Sequence, residues 1–382
     1  MDNFERSKGM RPPGAKETVN SRLWLLLLLL APLGLWCKAP LIERMDLFIP
    51  GQDGIHTYRI PSMVSTRNGT VLVFCEGRRD KFDDGTPTHL VLKRSLGNND
   101  SRKMTWQPTQ ILIASKDGEA YMNPVPIVDE RDGTIFLLVN PYLPPYKDVP
   151  VHIWLMHSSD EGATWSPPTD ITDGTGLKEL GPGIGIQMQN GRLVAPVYDG
   201  VIFSDDHGKT WKSGGKISEH YSESQVVELS DGSLMLNVRQ GSGHRAVFIG
   251  NDGGETWGRP RDDLSLIDPT DYVGCQASLI RYSRKGATSS MNRLLFSNPA
   301  DPTHRVNMTV RISYDEGKTW PIAKAIEKGP GGYSSMTVLP DGSVGLVYET
   351  GTFSTISFVR FKLDWITDGR EGNSFALFRQ FG

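Results

Sequence analysis

The chain has 382 residues, 38% of them hydrophobic, which is enough for the core of one large all-β domain. A formal net charge of -3 leaves no overall basic footprint for nucleic acid. The three cysteines, Cys37, Cys75 and Cys275, show no paired Cys or Cys/His spacing, so a zinc-stapled or disulfide scaffold is excluded and no metal or other cofactor is expected.

Residues 1–39 read as a targeting segment. Arg6, Lys8, Arg11, Lys16 and Arg22 form a basic stretch, and the apolar run Leu23–Cys37 follows it. That run is 15 residues long, short of the roughly 20 that span a bilayer as a helix. A cleaved secretory signal is the first reading and a retained signal-anchor the second; membrane association is expected only in the second case. Three N-x-S/T sequons, at Asn68, Asn99 and Asn307, fit a secretory route.

From about residue 45 to 375 the chain is organised by a repeat. Ser158-Ser159-Asp160-Glu161-Gly162-Ala163-Thr164-Trp165 returns at Ser204–Trp211, at Gly250–Trp257 and at Ser313–Trp320, and a degenerate copy runs from Ser95 to Trp106. The aspartates of the four clear copies lie 46, 46 and 63 residues apart. Each copy follows a strand-like apolar run and so occupies a turn. Asp and Ser oxygens accept backbone N–H bonds there, Gly supplies a positive φ, and Trp buries a large ring. These Asp boxes are read as structural, their carboxylates notwithstanding. A period near 46 matches one four-stranded blade, and the stretch predicts an all-β, six-bladed β-propeller.

A propeller gathers its site from many blades, so site residues should be scattered in sequence. Three arginines stand out beside strand-like runs: Arg59 in Tyr58-Arg59-Ile60-Pro61, Arg239 in Leu236-Asn237-Val238-Arg239 and Arg305 in His304-Arg305-Val306-Asn307.

With these segments the chain resembles the sialidases (neuraminidases), most nearly the lysosomal type of animals. Arg59-Ile60-Pro61 matches that family's N-terminal signature and the Asp boxes match its hallmark. Further matching stretches are Gly181–Gln187, Phe296–Ala300, Arg305–Thr309 and Gly332–Ser335. The resemblance implies that Arg59, Arg239 and Arg305 clamp the carboxylate of sialic acid. Guanidinium suits this task because it stays charged and pairs with a carboxylate bidentately. Glu349 resembles the family carboxylate that orients the first arginine. Sialidases are a known exception to carboxylate nucleophiles: Tyr333 matches the family tyrosine and Glu223 the glutamate that takes its proton. A neutral phenol avoids repulsion from the substrate carboxylate.

The general acid is sought in the run Arg78-Arg79-Asp80-Lys81-Phe82-Asp83-Asp84-Gly85. Asp84 has the spacing of the lysosomal type, Asp83 that of bacterial relatives, and Asp80 is a third candidate. Arg78 is expected to contact the sugar, Asn123 to lie near the N-acetyl group and Tyr198 near the glycerol chain. The resemblance thus implies a retaining exo-α-sialidase acting on sialylated glycoproteins, oligosaccharides or glycolipids. It implies lysosomal delivery, with the cell surface or secretion as alternatives, and a carboxypeptidase-like protective partner. Two departures weigh on delivery and partner: cysteines are far fewer than in the lysosomal type, and the C-terminus, Phe378–Gly382, is not its tyrosine-based tail. The rival readings are a non-catalytic sialoside-binding propeller, which has no use for Asp84, Glu223 and Tyr333 together, a trans-sialidase, and a glycosidase of neutral glycans, which needs no arginine clamp.

Overall fold

The computed structural model describes residues 43–95, 103–143, 151–218, 220–286 and 289–369; the leader, Cys37 and Asn99 lie outside them. Among the described residues almost all regular structure is strand, and the pairings resolve into six four-stranded antiparallel units. Unit I holds Thr57–Ser65, Val71–Arg78, Thr88–Arg94 and Gln110–Ile113; unit II holds Ala120–Val128, Ile135–Tyr142, Trp154–Ser158 and Thr169–Asp170. One parallel bridge, Thr88 to Ala120, joins them. Unit III holds Ile186–Gln187, Leu193–Val197, Gly200–Ser204 and Lys212–Lys216; unit IV holds Ser224–Glu228, Leu234–Val238, His244–Gly250 and Arg261–Ile267. Unit V begins with Ser278–Ser283, Arg293–Pro299 and Val306–Ser313. The long strand Ile322–Val338 then serves twice: its first part closes unit V, and its second part opens unit VI with Val344–Thr350 and Thr355–Phe361.

The fourth strand of unit VI is Glu43–Phe48, from the other end of the domain. First and last strands therefore share one sheet, which closes the ring of units, with Glu43–Phe48 as the outer strand of that sheet. The innermost strands of the six units touch their neighbours in a closed cycle, which is the arrangement a six-bladed propeller requires. Close approach at the axis explains the small residues there. A Cβ on Gly185 would stand 2.3 Å from the Ile127 side chain, which rationalises the Gly-Pro-Gly-Ile-Gly run.

Between successive units lie six apolar clusters. Each box tryptophan joins the cluster shared with the preceding unit: Trp165 lies between I and II, Trp211 between II and III, Trp257 between III and IV, and Trp320 between IV and V. Trp106 of the degenerate copy lies between VI and I. Unit VI has no box. The short helix Leu363–Ile366 follows its third strand instead, and Trp365 packs into the cluster between V and VI.

The boxes take up one geometry. Ser158 Oγ donates to Asp160 at 2.8 Å, and Asp160 accepts from the Thr164 backbone at 2.9 Å and its hydroxyl at 2.6 Å. The Ser204 and Ser313 copies repeat these bonds. The residue after each aspartate sits at positive φ: Glu161 at 61°, His207 at 59°, Gly253 at 71° and Glu316 at 63°. Only the third copy has glycine there, so the hydrogen-bonded turn holds three ordinary residues in a left-handed conformation.

Candidate active site

In each unit the start of the innermost strand and the end of the second strand lie at the same end of a hairpin, opposite the turn that carries the box. Every polar residue singled out from the sequence as a site candidate lies at that boxless end or in its adjoining loops. Arg59, Asn123, Glu223 and Tyr333 stand at innermost-strand starts; Arg78, Tyr198, Arg239 and Glu349 stand at second-strand ends; Arg305 precedes a third strand. Bulges aim several of them. The pairing register slips between Arg59 and Ser62, between Met122 and Val125, and between Gly331 and Ser334. Ile60 and Asn123 lie at φ 56° and 55°. For a β-branched Ile60 that conformation costs about 1–3 kcal/mol, offset in part by its buried N–H donating to Glu349 at 2.9 Å.

Glu349 is fully buried and accepts three hydrogen bonds, from Arg59 Nε at 2.6 Å, from the Ile60 N–H and from the Tyr333 N–H at 3.1 Å. One carboxylate thus ties the first arginine to the strand that carries the tyrosine. The Tyr333 hydroxyl donates to Glu223, and Arg239 Nη1 donates to the Tyr333 oxygen at 3.0 Å and to Glu223. Burial pushes the Tyr333 phenol well above its usual range, and the Glu223 charge adds to this against the pull of Arg239 and Arg305. The phenol is therefore neutral, with an acceptor for its proton already in contact.

Arg305 is 7% exposed and donates through Nη2 to the Gly274 carbonyl at 2.7 Å. Its buried Nε has no partner, and among the described residues no carboxylate pairs with it. Its guanidinium lies 5.4 Å from the Tyr333 ring and 4.9 Å from that of Tyr272. Burial opposes the charge on all three arginines, yet each pKa is raised: Arg59 by Glu349, Arg239 by Glu223, and Arg305 by the electrostatic influence of Cys275 and Tyr333. Three guanidiniums face two carboxylates around a neutral phenol. The cluster carries a surplus positive charge that a small anion would balance.

A second cluster lies across units I to III. Buried Arg78 donates to Glu76 through Nε at 3.1 Å and Nη2 at 2.8 Å, and the same Nη2 lies 2.6 Å from Asp84. Asp84 is 78% exposed on its loop; Asp83 pairs instead with Lys81 at 3.5 Å, and Asp80 is exposed. Glu76 also accepts from the Asn123 N–H at 3.1 Å. Burial raises its pKa, with Arg78 opposing. The Glu179 carboxyl accepts from the Tyr142 hydroxyl at 2.9 Å and faces the Tyr198 and Asn123 side chains; burial raises its pKa.

The structure therefore brings Arg59, Arg239, Arg305, Tyr333, Glu223 and Glu349 into one cluster, and Arg78, Asp84, Asn123 and Tyr198 into another. Glu76, Glu179, Tyr142 and Cys275 are additional members. Glu76 and Tyr142 share the second-strand end position with Arg239 and Glu349, a register signal that aligning the units would have exposed. Cys275 is fully buried against Ile60 and Tyr333, and burial pushes its thiol up to about 12. Neither Cys75 nor Cys275 is bridged. Among the described residues no group of His, Cys, Asp and Glu could hold a metal ion.

The fold and this site define a sialidase-type β-propeller, and the comparisons agree. The model of the BNR repeat-like domain family matches residues 56–346. A sialidase of Micromonospora viridifaciens is 34% identical over 86% of this chain and 55% of its own length. An exo-alpha-sialidase of Aspergillus fumigatus is 33% identical over 83% of this chain and 86% of its own, and Sialidase-2 of Mus musculus is 28% identical over 85% and 96%. The chain thus spans little more than half of the bacterial relative and most of the fungal and mouse ones. Among solved structures, the Hadza microbial sialidase Hz136 superposes with a TM-score of 0.75 at 29% identity, over 85% of this chain and 69% of that one. The intramolecular trans-sialidase from Ruminococcus gnavus shares the fold, with a TM-score of 0.71 at 20% identity over 84% and 98%. The chain belongs to the sialidase family.

Proposed function

We propose that this protein is an exo-α-sialidase that releases terminal α-linked sialic acid with retention of configuration, using Tyr333 as nucleophile. The observation that carries the reading is Arg305: a buried guanidinium with no carboxylate partner, beside two further arginines and a phenol already hydrogen-bonded to a glutamate. Sialic acid bears its carboxylate on the anomeric carbon, so an anion held by Arg59, Arg239 and Arg305 sets that carbon over the phenol oxygen.

In the first step Tyr333 Oη bonds to the anomeric carbon and Glu223 takes the phenol proton. The bond from that carbon to the leaving oxygen breaks as Asp84 protonates it. In the second step Asp84 takes a proton from water, the water oxygen bonds to the same carbon as that carbon's bond to Tyr333 Oη breaks, and Glu223 returns its proton to the departing phenol oxygen. Asp84 is preferred to Asp83 because Arg78 draws it towards Glu76, whereas Asp83 turns to Lys81. Asn123, Tyr198 and Tyr142, gathered around Glu179 in the second cluster, are assigned to the acetamide and glycerol substituents. Sialylated glycoproteins, oligosaccharides and glycolipids are the substrate class.

We further propose passage through the secretory pathway to the lysosome, on the strength of the basic and apolar leader; dependence on a protective partner is part of that proposal. Among the described residues no helix is long and apolar enough to cross a membrane. The first test is hydrolysis of 4-methylumbelliferyl sialoside from about pH 4 to 7, the range in which perturbed carboxyls titrate. Release of fluorophore by the folded protein supports the enzyme. Tight binding of sialoside without release at any pH would leave a sialoside-binding propeller.

A further inference from the structure

The strongest unassigned feature is the loop between units IV and V. Tyr272 and Val273 are consecutive non-glycine residues at φ 53° and 59°, and both are exposed, at 70% and 68%. Two adjacent left-handed residues, one of them β-branched, are strained and persist only where surroundings impose them. Solvent-exposed side chains supply little of that imposition.

What the loop does is visible in its carbonyls. Three in succession hold two clamp arginines: Tyr272 O accepts from Arg239 Nη2, Val273 O from Arg239 Nε at 2.9 Å, and Gly274 O from Arg305 Nη2 at 2.7 Å. The loop is tied in turn to the segment that carries Arg305. Thr270 N donates to Pro302 O at 3.2 Å and Asp271 N to Thr303 O at 2.9 Å. The one side-chain ion pair between the two segments joins Asp271 Oδ2 to His304 Nδ1 at 2.7 Å. Asp301 accepts from the Thr303 and His304 N–H groups and so shapes the turn around that histidine. Asp271, Tyr272, His304 and Arg305 together wall a cavity of about 900 Å³ beside the clamp.

We infer that Asp271 and His304 form a latch that positions Arg239 and Arg305 for the substrate carboxylate. This rests on the clamp reading given above. Neither residue touches the reacting atoms in that reading; both are positioning residues acting through the loop carbonyls. Arg59, Glu349 and Asp84 are held by other partners, and Glu223 and Tyr333, though both bonded to Arg239 Nη1, also hold each other through the Tyr333 hydroxyl. The groups facing His304 are Asp271 and Asp301, with Arg305 next in sequence and His56 on the same cavity wall. Asp271 raises the imidazole pKa, so the latch is a full ion pair at acid pH and weakens as pH climbs through the histidine's titration.

The test compares the wild type with Asp271→Ala, His304→Ala, the double variant and Asp271→Asn. Each alanine variant is expected to raise KM for a sialoside about tenfold with kcat changed by less than about threefold, the pattern of lost uniform binding. The double variant should be no worse than either single one, because both remove the same pair, and Asp271→Asn should recover part of the loss. Binding of the carboxylate inhibitor 2-deoxy-2,3-dehydro-N-acetylneuraminic acid should weaken in parallel, while binding of its methyl ester should not change. In the wild type, but not in Asp271→Ala, KM should rise further as pH is taken above the range of an ordinary imidazole. An unchanged KM, additive losses, or equal losses for acid and ester would overturn the latch. A wild type that hydrolyses no sialoside would instead remove the reading beneath it.

Discussion

The two ends of each blade-like unit use the same residue types to opposite purposes. At the box end, Asp160, Asp206, Asp252 and Asp315 sit near solvent in repeated turns, each bonded to neighbours in its own turn. Asp160 is held down to about 2 by the Thr164 hydroxyl and backbone N–H; Asp206 reaches about 2 although its slight burial opposes this, through the same two bonds from Thr210. At the other end, the carboxylates of Glu76, Glu223 and Glu349 are buried, and each meets groups that are distant in sequence or drawn from another unit. Local bonding within one turn can be repeated wherever the turn is repeated. A site assembled from six units can be built only once. Repetition therefore marks scaffold, and the unrepeated charges at the other end mark the candidate site.

The sharpest way to break that contrast is Tyr333→Phe. It removes one oxygen from a buried cluster and should lower kcat by more than about 10³-fold while leaving the thermal midpoint close to that of the wild type. Full activity in this variant, measured with a fluorogenic sialoside, would move the chemistry elsewhere. Next comes Asp84→Asn against Asp83→Asn. The first should cost about 10²–10⁴-fold in kcat for a poor leaving group, the range of general acid catalysis. It should cost less for methylumbelliferone, which leaves without much help. The second should change little, since Asp83 faces Lys81 on exposed loop surface.

How far the sequence reveals each end follows from the same difference. The boxes are legible because a turn's hydrogen bonds lie within eight consecutive residues, so the pattern Ser-x-Asp-x-Gly-x-Thr-Trp repeats with its geometry. Unit VI was not legible in this way: Trp365 fills the place of a box tryptophan without box residues around it. The arginines, Tyr333 and Glu223 were legible through short flanking motifs and resemblance, not through spacing. Glu179 and Cys275 were not, because their relation to the site is made by packing between units. The loop at 270–274 was least legible of all. It acts through carbonyl oxygens, which every residue possesses, and its left-handed Tyr272 and Val273 carry no glycine to advertise them.

A smaller effect is expected from the box itself. Asp206→Ala removes the acceptor of the two Thr210 bonds. At an exposed turn this should cost about 1–2 kcal/mol, seen as a midpoint lower by about 1–2 °C per kcal/mol in a domain of this size. Specific activity of the folded fraction should be unchanged. A variant that folds normally but loses turnover would mean that the box end reaches the site after all.

The two ends should also answer acid with opposite signs. Asp160 and Asp206 bind protons less tightly in the folded chain than the roughly 3.9 of a free aspartate. Their contribution is complete above that value and is lost as pH falls towards about 2. Asp252 and Asp315 are lowered too and act in the same direction. Glu76 and Glu179 are raised by burial, so the folded chain binds their protons more tightly than the unfolded chain does. Their ionisation weakens the fold as pH rises from about 4.3, the value of a free glutamate, and acid relieves that cost. The box terms are individually small because these turns are solvated and screened. Melting curves from neutral pH down to about pH 2, where the box aspartates titrate, separate the two ends. Asp160→Asn with Asp206→Asn should flatten the acid-side fall in midpoint. Glu179→Gln should raise the midpoint at neutral pH and leave the acid-side fall steeper than in the wild type, because the opposing carboxyl is gone. If both variants shifted the acid limb in the same direction, the division of labour between the two ends would not extend to their protons.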